Sequence, residues 1–283
     1  MEIDIVRLLI AFLCGYFLTV SGSLAQIVTN NKLASSSTLG FDGVGVLVIL
    51  LAQFFITFLG FRYPIEHLSF FFFLILFMPI CLISLKTFKQ NLNLSKIILI
   101  GLGFNLFVGG IFSIIQFLFL AINFEFPTGI WFGNFKFYDD NVLWLFSSIF
   151  IIVFALVKKL SANLAILSLG SSFAEGLGIR TAKISKIALL LSFFLTGLVV
   201  SYFGVFSFIG LIFPHILRSF NFFKFDMKRE LIIGPLCTGA VLSGLDFVCF
   251  QVPFYGAEIP VGMVCSVVGS FVLLLLLTKK SST

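Results

Sequence analysis

The chain consists of long apolar segments separated by short polar connections. Seven of these segments have roughly the length of one bilayer crossing, which takes about 20 residues of helix. They are residues 5–28, 39–60, 68–85, 97–122, 142–157, 231–250 and 260–277. Apolar runs of this length, bounded by polar residues, predict membrane-spanning helices.

One further apolar run, residues 187–217, does not fit this pattern. Its 31 residues lie between two basic clusters and would form roughly 46 Å of helix. That length is too long for one crossing and too short for two full ones. Gly204, Gly210 and Pro214 interrupt its second half. The pattern therefore predicts one full helix followed by a short, broken helix that returns the chain to its starting side.

The basic residues indicate on which side of the membrane each connection lies. With nine crossings, 15 of the 18 lysines and arginines share one side, and Arg7, Arg62 and Lys136 lie on the other. Because cytoplasmic connections carry the excess of basic residues, this distribution predicts an N-terminus outside and a C-terminus in the cytoplasm.

Residues 158–186 differ from the other connections. They are too polar to span a membrane, yet Leu164, Leu167, Phe173 and Leu177 recur at the spacing of an amphipathic helix. We expect two short helices on the cytoplasmic surface, within a segment of about residues 160–186.

The composition agrees with an all-α polytopic membrane protein, because 60% of the residues are hydrophobic and 11% are charged. The net charge of +6 comes from scattered bases rather than a basic stripe, so nucleic acid is not an expected partner. The five cysteines show no CxxC spacing, which indicates neither a metal site nor a disulfide. No phosphate-binding loop or HExxH motif occurs, so energy would come from ion coupling or from a separate subunit.

Few polar residues lie at membrane depth. Asp246 is the deepest carboxylate and is either a structural contact between helices or a proton relay. His215 and Arg218 share one face at the end of the broken helix and are interpreted either as helix-end residues or as part of a metal site. A third group shares one helical face and either lines a pathway or allows close helix packing: Gly101, Asn105 and Gly109.

Four motifs follow one another along the chain. They are SGSLAQIVTNNKLASSSTLGFDG from Ser21, LSLGSSFAEGLGI from Leu167, GLIFPHILR from Gly210 and AEIPVGMVCSVVGSF from Ala257. In content and order they resemble the permease subunits of the ABC importers for iron chelates (siderophores and haem) and cobalamin, the FecCD-type family. The likeness extends over nearly the whole chain.

The resemblance implies a homodimer with a translocation path between the copies, two cytoplasmic ABC ATPase subunits and an external substrate-binding protein, with no cofactor. The residues that match the ATPase-coupling segment are Gly170, Ala174, Leu177, Gly178 and Arg180. Those that match the cytoplasmic gate are Asn31, Leu33 and Ser95. Arg7 matches an outer arginine that pairs with the binding protein. Pro214, His215 and Arg218 are then expected to form a helix end beside the coupling segment, and no metal site.

The chain departs from the family pattern at several positions. The usual first span has no counterpart here, so about nine spans are expected, one of them short. Lys32 replaces a turn proline, and Ser171 replaces a docking acid. Asp4 and Phe250 occupy positions where further outer arginines are common, so docking through basic residues depends on Arg7.

These observations predict a single permease domain, residues 1–283, in the bacterial inner membrane. It would carry an iron chelate, haem or a corrinoid inward while ATP is hydrolysed on another chain. One alternative is an ABC permease for bare zinc or manganese, which needs histidines and acidic residues along the path, and this chain has few of either. The other alternative is an ion-coupled secondary transporter that uses Asp246.

Overall fold

The structure is a computed structural model, and it describes residues 4–60, 64–87, 94–121, 132–136, 138–219, 226–253 and 258–278. Within these ranges the regular structure is entirely α-helical, which confirms the predicted fold class. The helices are α1 (Ile5–Thr29), α2 (Phe41–Leu59), α3 (Ile65–Thr87), α4 (Leu94–Ala121), α5 (Asp140–Leu167), α6 (Ser171–Gly176), α7 (Thr181–Phe203), α8 (Ile209–Ser219), α9 (Met227–Gln251) and α10 (Val261–Thr278).

Each predicted apolar segment coincides with a helix. Within the described part of the chain, α1, α4, α5, α7 and α9 are long and apolar enough to cross a membrane, whereas α2, α3, α8 and α10 contribute shorter apolar stretches. The number of crossings and the side on which each end lies stay predictions.

The apolar run of unusual length forms one full helix and one short helix, as predicted. Helix α7 ends at Phe203, and Gly204 then adopts a φ of 82°, a conformation that glycine tolerates best. Residues 204–208 form no helix, and α8 begins at Ile209 and has only 11 residues. Pro214 lies inside α8, where it cannot donate a backbone hydrogen bond to the carbonyl of Gly210.

The prediction of two short helices between α5 and α7 was wrong. Helix α5 continues unbroken to Leu167, and only α6 is short. Leu164 and Leu167 are buried, because their amphipathic spacing continues the inward-facing side of α5. Lys183 and Lys186 belong to the first turns of α7. The predicted coupling residues therefore lie in or beside the single short helix α6.

Helix α1 is the centre of the bundle and is buried along most of its length, in contact with α5, α7, α8 and α9. Small residues permit these contacts. A Cβ atom on Gly15 would lie 2.9 Å from the Cα atom of Gly239 in α9. A Cβ atom on Gly22 would overlap the backbone of Gly210 in α8. Without side chains at these positions, the helix backbones approach closely.

Helices α2, α3 and α4 form a second group, which joins the first through α7. Aromatic side chains fill the contact of α3 with α7, where the Phe73 and Phe193 rings lie 5.9 Å apart edge to face. A hydroxyl cluster joins α7 to α1: Ser21 shares hydrogen bonds of 2.7–2.8 Å with Ser192 and Thr196. This packing brings the last residues of α1, α5 and α8 and the first residues of α9 to one end of the bundle.

Candidate coupling surface, gate and buried ion pairs

Helix α6 is held between two glycines with positive φ angles, Gly170 at 122° and Gly178 at 76°. A Cβ atom at either position would meet no atom within 4 Å, so the backbone conformation, and not lack of space, requires glycine there. Ala174 is fully buried and anchors α6 to the main core. The turn after α6 closes with a hydrogen bond of 2.6 Å from the Thr181 hydroxyl to Glu175.

The outer face of α6 exposes apolar side chains. Leu169, Phe173 and Leu177 are 69%, 55% and 58% exposed, values unusual for large apolar residues at the polar end of a helical bundle. Arg180, which precedes α7, and Lys183 are exposed beside them. Of the predicted coupling residues, Leu177 and Arg180 therefore lie on a surface with exposed apolar and basic side chains, whereas Ala174 is buried.

The predicted gate residues Asn31 and Leu33 lie in a tight turn after α1, which we call the gate turn (residues 30–33). Asn30 adopts a left-handed conformation with a φ of 47° and ends α1. The Asn31 side chain accepts a hydrogen bond of 2.9 Å from the backbone of Leu33, which fixes the turn. Both residues are exposed. Ser95 lies in the first turn of α4, and its side chain is outside the described part of the structure.

Arg218 lies in the last turn of α8 and is part of a buried polar network. Its guanidinium group donates to both carboxylate oxygens of Glu230, at 2.7–2.9 Å, and to the side-chain oxygen of Gln26 at 2.9 Å. The Gln26 amide in turn donates to the Leu211 carbonyl at 3.2 Å. A cation at the end of α8 and an anion in the first turn of α9 also match the dipoles of these helices.

Pro214 and His215 belong to the same motif as Arg218, GLIFPHILR, and each has a different environment. Pro214 is buried within α8. The Nε2 atom of His215 lies 2.7 Å from the Lys32 carbonyl oxygen in the gate turn. Because a carbonyl only accepts hydrogen bonds, this nitrogen carries the proton. Within the described residues no group of three or more histidine, cysteine, aspartate or glutamate side chains is arranged to hold a metal ion. All three residues lie in the second half of α8, and their role beside the coupling segment stays a prediction.

A cavity of about 580 Å³ lies beside the gate turn and the Arg218–Glu230 ion pair. Three regions form its walls: the end of α1 with the gate turn, the end of α8 with the start of α9, and the residues that lead into α6. The lining residues used below are Gln26, Lys32, Ser168, Leu169, Arg218 and Glu230.

At the opposite end of the bundle, Arg7 forms a second buried cluster. Its side chain makes two hydrogen bonds to Asp246, of 2.8 and 3.0 Å, and a third of 3.0 Å to Glu258. The Phe250 ring lies 4.7 Å from the guanidinium carbon, within the range of a cation–π contact. Arg7 is only 5% exposed and Asp246 only 1%. The guanidinium group thus bonds to two carboxylates of its own chain, and the expected contact of Arg7 with a binding protein stays a prediction.

The predicted pathway face of α4 divides into two parts. Gly101 packs against the backbone of Leu39, and Asn105 donates a hydrogen bond to the Ser37 carbonyl, so both join α4 to the connection between α1 and α2. A Cβ atom on Gly109 would meet no atom within 4 Å. Close packing therefore explains the first two residues and does not explain Gly109.

The sequence did not reveal Gln26, Glu230 or the role of Glu258. Glu230 follows Lys228 and Arg229 and has the appearance of a solvated charge, yet it is 2% exposed. The helical periodicity of α9 does indicate that Glu230 is buried. Glu230 lies in the first turn on the same side as Leu231 and Gly234, which are buried.

The comparisons with known proteins agree with this architecture. A model of the FecCD transport family matches residues 1–279. The iron(3+)-hydroxamate import permease FhuG of Bacillus subtilis is 28% identical over 98% of this chain and 83% of its own length. The vitamin B12 import permease BtuC of Photorhabdus laumondii is 30% identical over 96% of this chain and 79% of its own length.

A solved structure described as an inward-facing metal-chelate type ABC transporter shares the fold, with a TM-score of 0.79 and 23% identity over 97% of this chain and 85% of that chain. The fold is thus that of a membrane-embedded transport permease, which is not itself an enzyme. The chain belongs to the FecCD transport family.

Proposed function

We propose that this chain is the transmembrane subunit of an ATP-driven ABC importer that carries an iron chelate, haem or a corrinoid into a bacterial cell. Two copies form a homodimer around the translocation path, two ATPase subunits bind on the cytoplasmic side, and a substrate-binding protein delivers the cargo outside. The observation that carries this proposal is the surface around α6, because the exposed side chains of Leu169, Phe173 and Leu177 offer a docking partner an apolar contact. The basic residues Arg180 and Lys183 follow them along the chain and are also exposed.

The Arg218 end of the bundle is then cytoplasmic, with the N-terminus outside. The positions of basic residues support this orientation, because Lys32, Lys183 and Arg229 belong to helix ends and turns on the same side as α6. Movement of the ATPase subunits pushes on α6, and the two copies change between an outward-open and an inward-open arrangement.

The substrate class is supported by the relatives. The similar permeases are named for the import of iron(3+)-hydroxamate and of vitamin B12, and the haem-iron permease IsdF of Staphylococcus aureus is 27% identical over 98% of this chain. All three cargoes are large and bind their metal within an organic ligand. A weakly interacting path suits such cargo, since the permease itself need not coordinate the metal.

Two alternatives receive less support. A path for bare zinc or manganese needs ligand groups, and the described residues contain no candidate cluster. An ion-coupled mechanism needs a carboxylate that gains and loses a proton, whereas Asp246 is held by two hydrogen bonds from Arg7.

The experiment reverses the charge at the edge of the coupling surface. We expect Arg180→Glu with Lys183→Glu to lower the amount of co-expressed ABC ATPase subunit that co-purifies with the permease. Lys136→Glu, an exposed reversal at the Arg7 end, is the control and leaves co-purification unchanged. Equal recovery of the ATPase with both variants would contradict the docking surface and the function built on it.

A further inference from the structure

The short helix α8 is attached to the end of α1 at three successive levels. At the first, Gly210 of α8 lies against Gly22 of α1, backbone to backbone. At the second, Gln26 joins the Leu211 carbonyl and the Arg218 guanidinium group. At the third, His215 donates to the Lys32 carbonyl in the gate turn. The end of α1 and α8 therefore form one unit.

Pro214 explains why the first contact is so close. Since Pro214 has no amide hydrogen, the Gly210 carbonyl four residues earlier has no partner inside the helix. The Gly210 carbonyl oxygen is the atom that a Cβ on Gly22 would strike. An unbonded carbonyl facing a glycine Cα atom allows a weak C–H···O contact that a side chain would prevent.

The cavity lies between this unit and the coupling segment. Gln26, Lys32 and Arg218 line one side, and Ser168 with Leu169, directly before α6, lines another. A cavity of about 580 Å³ leaves room for the two sides to approach. A displacement of α6 would therefore change the width of this cavity, one wall of which is the gate turn.

We propose that His215 and Arg218 are positioning residues of the gate: they hold the gate turn to α8, so that both respond together when α6 is displaced. This inference rests on the proposed function for its link to ATP, but the attachment itself is a property of this chain alone. His215 acts through the Lys32 carbonyl, and Arg218 acts through Gln26 and Glu230.

The test is hydrogen–deuterium exchange of the backbone of residues 27–39, measured on the permease alone and on the complex with its ATPase in nanodiscs. The complex is examined free of nucleotide and trapped with ATP and vanadate. In the permease alone, His215→Phe should accelerate exchange in this segment by roughly tenfold, the effect of losing about one hydrogen bond. In the complex, the variant should abolish the response of this segment to nucleotide while ATP hydrolysis continues.

Three controls separate positioning from general loosening. His215→Gln restores a side-chain N–H donor and should recover the response to nucleotide. His67→Phe removes the other histidine, which lies 3.5 Å from the Tyr202 hydroxyl at the Arg7 end, and should leave the gate segment unchanged. Residues 240–250 of α9 should exchange as in the unaltered protein.

Normal exchange of residues 27–39 in the His215→Phe permease would overturn the inference, and so would an unaltered nucleotide response in its complex. If the unaltered complex showed no nucleotide response at all, the proposed function would be contradicted instead. The measurement on the permease alone would still decide whether His215 holds the gate turn.

Discussion

The two ends of α9 each carry a buried carboxylate bound by an arginine, but their surroundings differ. Glu230 and Asp246 are 16 residues apart, about 24 Å along the helix. Asp246 binds Arg7 of α1 in a cluster whose adjoining cavity measures only about 10 Å³. Glu230 binds Arg218 of α8 on the wall of a cavity of about 580 Å³.

This difference separates a fixed end from an adjustable one. Phe250 and Leu8 line the small cavity beside the Arg7 pair, which leaves little space for rearrangement there. At the Arg218 pair, water in the cavity can solvate the ions when their geometry changes. We interpret the Arg7 end as the point at which α1 and α9 stay together, and the Arg218 end as the part that rearranges during transport.

The largest expected effect is at the Arg7 end. Arg7→Ala leaves Asp246 buried without its partner, and we expect it to lower the free energy of unfolding by about 3–5 kcal/mol, as measured by equilibrium unfolding in mixed micelles. The double variant Arg7→Met with Asp246→Leu replaces both charged side chains by apolar ones. Its free energy of unfolding should fall much less than that of Arg7→Ala. Equal losses in the two variants would show that packing, and not the unpaired charge, determines the result.

The Arg218 end should respond more weakly to the same change. We expect Arg218→Met to lower the free energy of unfolding by about 1–3 kcal/mol, since the cavity admits water to Glu230 after the arginine is lost. Glu230→Gln added to this variant removes the unpaired charge and should return part of the stability. A loss as large as that of Arg7→Ala would refute the distinction between a fixed and an adjustable end.

Much of this architecture follows from the sequence because it depends on local periodicity. The apolar segments became helices, and the interrupted run of residues 187–217 became α7 and α8, since length, glycine and proline act locally. The extent of α5 was mispredicted because polar residues after Lys158 hide the continuing buried face of Leu164 and Leu167.

The ion pairs could not be predicted in the same way. Arg7 and Asp246 are 239 residues apart, and nothing local to either indicates the other. Only the packing of α1 against α9 brings them together, and it depends on small residues such as Gly15 and Gly239. Resemblance to a family indicated that Arg7 has a partner, but suggested a partner in another protein.

Close packing gives the next prediction. We expect Gly22→Ala to lower the free energy of unfolding by about 1–3 kcal/mol, because the added methyl group overlaps the Gly210 backbone and neither backbone can yield. Gly110→Ala in α4 meets no atom within 4 Å and is the matched control, with a neutral or slightly favourable effect. A neutral Gly22→Ala would mean that α8 separates readily from α1, and the unit formed by α1 and α8 would then be wrong.

The smallest expected change in stability concerns two turns at opposite ends of the helical bundle. In each turn an asparagine side chain accepts a hydrogen bond from the backbone two residues later. Asn31 accepts a hydrogen bond of 2.9 Å from the Leu33 backbone, and Asn134 accepts one of 3.1 Å from the Lys136 backbone. Replacing either asparagine by alanine should cost about 0.5–1.5 kcal/mol of stability, the ordinary value of one such hydrogen bond. If only the Arg218 end rearranges, Asn31→Ala alone should raise the basal ATP hydrolysis of the assembled complex, because a looser gate turn opposes closure less. Measured on complexes with the same ATPase content, an equal rise in Asn134→Ala would contradict the assignment of movement to one end.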